Sequence, residues 1–203
     1  MPTKRTLISL VERASTPVDI AFLAAFRIGL GVVLFASTLR FVAKGWVTTL
    51  LVAPRLHFTY PAAQFVRPLP APLMLLLFGL LALAALGIAA GYRYRLCVCA
   101  FFLGFTYVEL IEKATYLNHY YFVSVVSALL ALLPAASAAS LDVRLGHTAG
   151  RDWVPAWVQW ALRLQVGVVY FFAGVAKLNA GTASPLWLLT HRLMDFLRLK
   201  LWL

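Results

Sequence analysis

Long apolar runs separated by short polar and basic breaks make up most of this chain. Between Pro72 and Ala90 there is no charged residue at all. A hydrocarbon core takes roughly 20 apolar residues as helix. On that measure the pattern predicts five spans, at about Pro17 to Leu39, Pro72 to Ala90, Leu96 to Leu110, Tyr120 to Leu133 and Pro155 to Lys177. Arg27 interrupts the first, Glu109 closes the third, Pro134 ends the short fourth, and the fifth carries Arg163 near its start. The expected fold class is all-α: a polytopic membrane helical bundle of about five spans plus an interfacial C-terminal helix.

The connecting segments refine this picture. Residues 1–16 are mostly polar and read as an N-terminal tail, with 17–203 as one transmembrane domain. Thr16-Pro17-Val18-Asp19 combines an N-cap, a proline at the first helical position and an acid at the third, so a helix is expected to start there. The N-terminus lacks a short apolar core followed by a cleavage site, and the first span is expected to be retained. The loop from Arg40 to Pro70 holds basic residues and several aromatics, and its "WVTTLLV" stretch is expected to lie flat at the interface. The loop from Pro134 to Asp152 is rich in small residues. After the fifth span, Ser184-Pro185 caps one more predicted helix, on which His191, Asp195 and Arg198 share a face, as in an interfacial helix.

Composition supports the membrane class. The chain is 63% hydrophobic and 12% charged, whereas soluble domains carry about 25% charged residues. Its net charge is +11, yet the basic residues sit between apolar runs and form no aromatic-interleaved basic face, so nucleic acid is not an expected partner. Membrane lipid with anionic head groups is. With the N-terminus cytoplasmic, the inner side carries Lys4, Arg5, Arg13, Arg93, Arg95, Arg144 and Arg151, and the outer side Arg40, Lys44, Arg55, Arg67 and Lys113. This excess favours the N-in orientation. Whichever side is inner, five spans bring His119 and Lys177 to the same rim. Cys97 and Cys99, two residues apart in an apolar run, point to different sides of a helix, which fits packing rather than a disulfide. No metal set is predicted.

Several polar residues stand out against this background. Lys177, one of five lysines, follows eleven uncharged residues, Val166 to Ala176. It is either a lysine snorkelling to the head groups or a desolvated amine able to act as a base. His119 opens the fourth span as a capping group or as part of a site. Around it Asn118, Tyr116, Tyr120 and Tyr121 offer polar and aromatic groups suited to a flat, polar-ended ring. Arg27 and Arg163 are intramembrane charges that need a partner or a cavity. Glu109 is a candidate partner for either, and hydrogen bonding to carbonyls is the alternative for Arg27. Gly87 and Gly91 make a GxxxG pattern suited to helix packing.

These segments carry a resemblance. "VVYFFAGVAKLNA" resembles the vitamin K-dependent γ-carboxylase segment in which a YFxAGVxKL pattern holds the catalytic lysine. "EKATYLNHYYF" is similar to that family's acid-Lys pair followed by Asn-His. "YPAAQFVRPLP" matches its proline-rich loop, "RLQ" at Arg163 to Gln165 its Arg-x-Gln, and Phe26-Arg27 occurs in its first span. The broader group is the HTTM domain, and the similarity runs from about Pro17 to Asn179. Two details depart from the pattern. The family's paired lysines are Ala176-Lys177 here, and its Trp-Asn is Tyr116-Leu117.

The resemblance implies a chemistry. In the family a lysine amine deprotonates reduced vitamin K, oxygen converts the hydroquinone to an epoxide through a strong base, and that base prepares a glutamate side chain for carbon dioxide. Carried over, Lys177 is the amine base, His119 assists it as the second catalytic residue, and Asn118 and Tyr121 hold reduced vitamin K or a related quinol. A glutamate-containing protein is the implied substrate. The eukaryotic carboxylases continue beyond the lysine helix with further spans and a large non-membrane domain, so the expectation is of a shortened, incomplete module. Two rival readings stay open beside the carboxylase-like enzyme: a non-catalytic quinone-binding subunit and a structural membrane subunit. The oligomeric state is left open.

Overall fold

The computed structural model describes residue 9 and residues 11–54, 56–115 and 118–181, of which 62, 115, 118 and 176–181 are described by backbone alone. The elements are β1 (Pro17–Asp19), α1 (Ala21–Ala43), α2 (Ala71–Ala90), α3 (Tyr94–Ile111), α4 (Asn118–Leu132), α5 (Leu141–Arg144), β2 (Trp153–Pro155) and α6 (Ala156–Gly181). Residues 1–162 form one compact unit and residues 163–203 a second. In the first unit α1 packs on α2, α2 on α3 and α3 on α4. The second unit contains the helical continuation of α6 as far as Gly181. The C-terminal helix expected after Ser184-Pro185, with His191, Asp195 and Arg198, lies outside the described residues.

Helices α1, α2, α3 and the Ala156–Val175 part of α6 are each long and apolar enough to cross a membrane, and α4 is a shorter apolar helix of 15 residues. The five predicted spans are thus four of full length and one short. Pro134 follows α4 closely and cannot extend it, because proline has no N–H to donate to the preceding turn.

The start of α1 differs from expectation. Pro17–Asp19 is a strand that pairs antiparallel with Trp153–Pro155, Val18 opposite Val154. The helix begins at Ala21, whose N–H donates to Asp19 Oδ1 at 2.7 Å. The Thr16 hydroxyl donates to the Glu12 carbonyl instead of capping. Pairing with a segment far along the chain replaces the local capping box, and Ala156 N donating to Thr16 O at 2.9 Å continues the ribbon into α6. This ties the start of α1 to the start of α6.

The "WVTTLLV" stretch is helical and packs on the bundle. Val47–Val52 is a π-helical turn whose Val47 and Leu51 are buried with Met74, Phe78 and Ile111. Phe41 stacks on Phe78 with ring centres 5.1 Å apart. Burying two aliphatics one turn apart against α2 and α3 folds this loop back onto the bundle.

Arg27 shows why an intramembrane charge is tolerated. It is fully buried and donates to the carbonyls of Ile88 (2.9 Å), Ala89 (2.8 Å), Ala138 (3.5 Å) and Ala139 (2.7 Å). Ile88 and Ala89 belong to the last turn of α2, where carbonyls run out of donors one turn ahead; from the backbone Ile88 O receives only the Gly91 N–H at 3.2 Å, and the guanidinium completes the cap and offsets the helix's negative end. Glu109, expected as a candidate partner, sits at the opposite end of α3 and pairs elsewhere. Gly91 ends α2 in the left-handed conformation (φ 65°), and a Cβ there would meet Ser140 and the Arg27 guanidinium. A Cβ on Gly87 would strike Cys97 Sγ, so of the GxxxG pair Gly87 allows close approach between the end of α2 and the start of α3, while Gly91 faces Ser140 and Arg27. Cys97 and Cys99 are both free thiols.

Candidate functional site

The C-terminal half of α3 and the facing side of α4 line a half-open cavity of about 720 Å³ near the rim where the two helices are joined. Phe102, Leu110, Val125 and Ala128 form much of its apolar wall, and Thr106, Glu109 and Ser124 its polar part. Thr106 and Glu109 are three residues apart on α3, and Tyr121, Ser124 and Ala128 follow at three and four on α4, so each set shares one helix face. Tyr60 and Lys113 complete the lining at the rim.

The connectors are fastened to this rim. Glu112, buried in the wall of the connection, accepts hydrogen bonds from Phe58 N (3.3 Å) and Ala114 N (2.9 Å), and its Oε2 lies 3.3 Å from His57 Nδ1. Lys113 N donates to Phe58 O at 2.7 Å. The Tyr107 hydroxyl donates to the Arg67 carbonyl at 2.7 Å. Together these bonds hold the proline-rich loop against the end of α3. The Lys113 ammonium then rests 5.8 Å from the centre of the Tyr60 ring, within reach of a cation–π attraction.

The polar part of the cavity is a short chain of hydroxyls ending on a carboxyl. Thr106 Oγ1 donates to Ser124 Oγ at 3.5 Å, and Ser124 Oγ donates to Glu109 Oε2. Glu109 Oε1 is buried with no hydrogen-bond partner among the described residues.

The sequence-predicted site residues are distributed as follows. Tyr121 lines the cavity. His119 is exposed at the same rim, its ring 4.6 Å from that of Tyr120 in an edge-on contact. Asn118 begins α4, and its side chain lies outside the described residues, as does that of Lys177 near the end of α6. The meeting of Lys177 with His119 therefore also lies outside them. Thr106 and Ser124 were missed by reading the sequence, although their helical spacing from Glu109 and Tyr121 was a usable signal. Asp142, which organises the opposite rim, was missed because its partners are backbone groups. Among the described residues no three His, Cys, Asp or Glu side chains are grouped closely enough to hold a metal ion.

An HTTM domain model matches residues 15–202, while no solved structure matches the chain. The match takes in the buried Arg27, the loop pinned by Glu112 and Lys113, the cavity between α3 and α4, and the four helices of spanning length. The chain belongs to the HTTM domain family and is an integral, multi-pass membrane protein.

Proposed function

We propose that this protein binds a reduced naphthoquinone-type lipid in the α3–α4 cavity and acts on it as a γ-carboxylase-like enzyme. One observation carries the reading. Tyr60 of the proline-rich loop, Lys113 of the acid-Lys pair and Tyr121 beside the Asn-His pair, three segments that resemble the carboxylases separately, line a single cavity. The residues present suit such a ligand. A mostly apolar wall accepts a fused ring and its tail, and the Thr106–Ser124–Glu109 chain offers hydrogen bonding to a ring oxygen.

When bound, the quinol would supply, through its oxidation by oxygen to the epoxide, the strong base that glutamate carboxylation requires. The chain's own residues have simpler tasks. Phe102, Leu110, Val125 and Ala128 exclude water, which would otherwise protonate a basic group. Tyr121 and Asn118 orient the ring. By the resemblance alone, Lys177 is the residue given the role of the amine base that takes the proton of a ring hydroxyl, and His119 that of a hydrogen-bonding assistant. A glutamate-bearing protein is the substrate, approaching from the rim.

The test is epoxide formation from reduced vitamin K by the purified protein, with and without a glutamate peptide and bicarbonate. The reading expects epoxide from the wild type and at least a hundredfold less from Lys177→Ala. Equal rates in the two remove the lysine from the mechanism. Quinol binding with no epoxide in either identifies a non-catalytic quinone-binding subunit instead.

A further inference from the structure

The Glu109–Ser124 pair has a direction. Ser124 has one hydroxyl hydrogen, which it gives to Glu109 Oε2, so toward Thr106 it acts as the acceptor. The chain therefore runs Thr106 to Ser124 to Glu109 and delivers donors to one carboxyl oxygen only. The other oxygen, Oε1, of this cavity-lining residue is buried without a hydrogen-bond partner among the described residues. A buried acceptor left in that state is costly, and an ionised carboxylate can only accept. Lys113, the cation in the cavity lining, stands over Tyr60 at the rim.

We propose that Glu109 Oε1 is the acceptor for a ring hydroxyl of the cavity's occupant, so that the site selects the reduced, hydroxyl-bearing ring over the oxidised ring. The inference rests on the quinol reading above and deepens it. A quinol presents O–H donors to Glu109. A quinone presents only carbonyl lone pairs, which repel those of the carboxylate. Glu109 is thus a specificity-determining residue on the side of α3, separate from the residues assigned to base chemistry. A glutamine there would remove the discrimination, because its amide N–H donates to a quinone carbonyl as readily as its oxygen accepts from a quinol.

The experiment uses the full chain in detergent micelles and isothermal titration calorimetry with three probes: menadiol kept reduced under argon, menadione, and the dimethyl ether of menadiol. The wild type is expected to bind menadiol about tenfold more tightly than the other two, the size of one hydrogen bond. Glu109→Gln should erase the preference while retaining menadione binding, and Ser124→Ala should reduce it. Ala128→Phe, which fills the cavity, should weaken all three probes. If menadiol binding is blocked by Ala128→Phe but Glu109→Gln keeps the full preference, the role given to Glu109 is overturned and the cavity reading stands. If no probe binds, or Ala128→Phe changes nothing, the cavity reading falls and the role of Glu109 with it.

Discussion

Asp142 Oδ2 accepts a 2.9 Å hydrogen bond from the Tyr94 backbone N–H, and its Oδ1 accepts one of 2.9 Å from Arg93 N. Both donors belong to the start of α3, whose first amide groups have no helical acceptor. The carboxylate that caps this helix therefore comes from α5, 48 residues later in the chain. In return Asp142 N donates to Gly91 O at 2.9 Å, so the two segments hold each other.

Asp142→Ala is expected to cost about 1–3 kcal/mol, because buried amides lose a charged acceptor. Burial pushes the Asp142 carboxyl up, but the hydrogen bonds from Tyr94 N and Arg93 N and the interaction with His147 together outweigh it and hold the group below the usual carboxylate range. A carboxyl lowered in the folded state stabilises fully above its unfolded value of about 3.9 and loses that contribution as pH falls through the folded value. Thermal unfolding in detergent should show the wild type losing its advantage over Asp142→Asn only below about pH 4. An advantage that vanished near neutral pH would contradict the assignment.

Arg27→Met should remove the guanidinium from the part-buried carbonyls of Ala89 and Ala139 and leave the buried Ile88 carbonyl with the Gly91 N–H alone. A loss of at least about 3 kcal/mol is expected from several unsatisfied acceptors. Arg27→Lys should recover part of it, since an ammonium donates three hydrogen bonds but cannot span both pairs of carbonyls with a planar fork. Unfolding in graded denaturing detergent measures the order wild type, Lys, Met.

Gly91→Ala and Gly79→Ala should move stability in opposite directions. At Gly91 a positive φ and contact with Ser140 and Arg27 both oppose a side chain, for an expected loss of about 1–3 kcal/mol. At Gly79, within α2, a methyl group would meet nothing within 4 Å among the described residues, and alanine should gain about 0.5–1 kcal/mol from helix propensity. Melting temperatures of the two variants decide the point.

Our N-in orientation predicts opposite labelling at the two rims. In a background lacking Cys97 and Cys99, Lys113→Cys should react with a membrane-impermeant maleimide in intact cells. Arg144→Cys should react only after the membrane is opened. The reverse pattern would invert the topology and leave the cavity facing the cytoplasm.

The spans were legible in the chain itself because a bilayer imposes one requirement, length of apolar helix, that a linear pattern can meet. Ala71–Ala90 was anticipated to within a residue, since no charge interrupts it and Gly91 ends it. The start of α1 was misplaced because the local capping signal at Thr16 to Asp19 lost to pairing with Trp153–Pro155, a partner no local signal names. The alternatives for Arg27 were correctly framed, an ion pair or carbonyl bonding, but choosing between them required knowing that Ala138 and Ala139 fold over the end of α2.

By itself the order of residues determined the class of molecule, the position of its apolar helices, and which short segments carry chemistry. Hydrophobicity and helical period act locally and survive in one dimension. Folding in three dimensions decided which acid meets which donor: Glu109 with Ser124 rather than Arg27, and Asp142 with Arg93 and Tyr94. Those pairings depend on backbone groups and on crossings between helices distant in the chain. A hydrogen bond is satisfied by whatever polar atom lies within about 3 Å, and nearness of that kind is a property of the packed bundle.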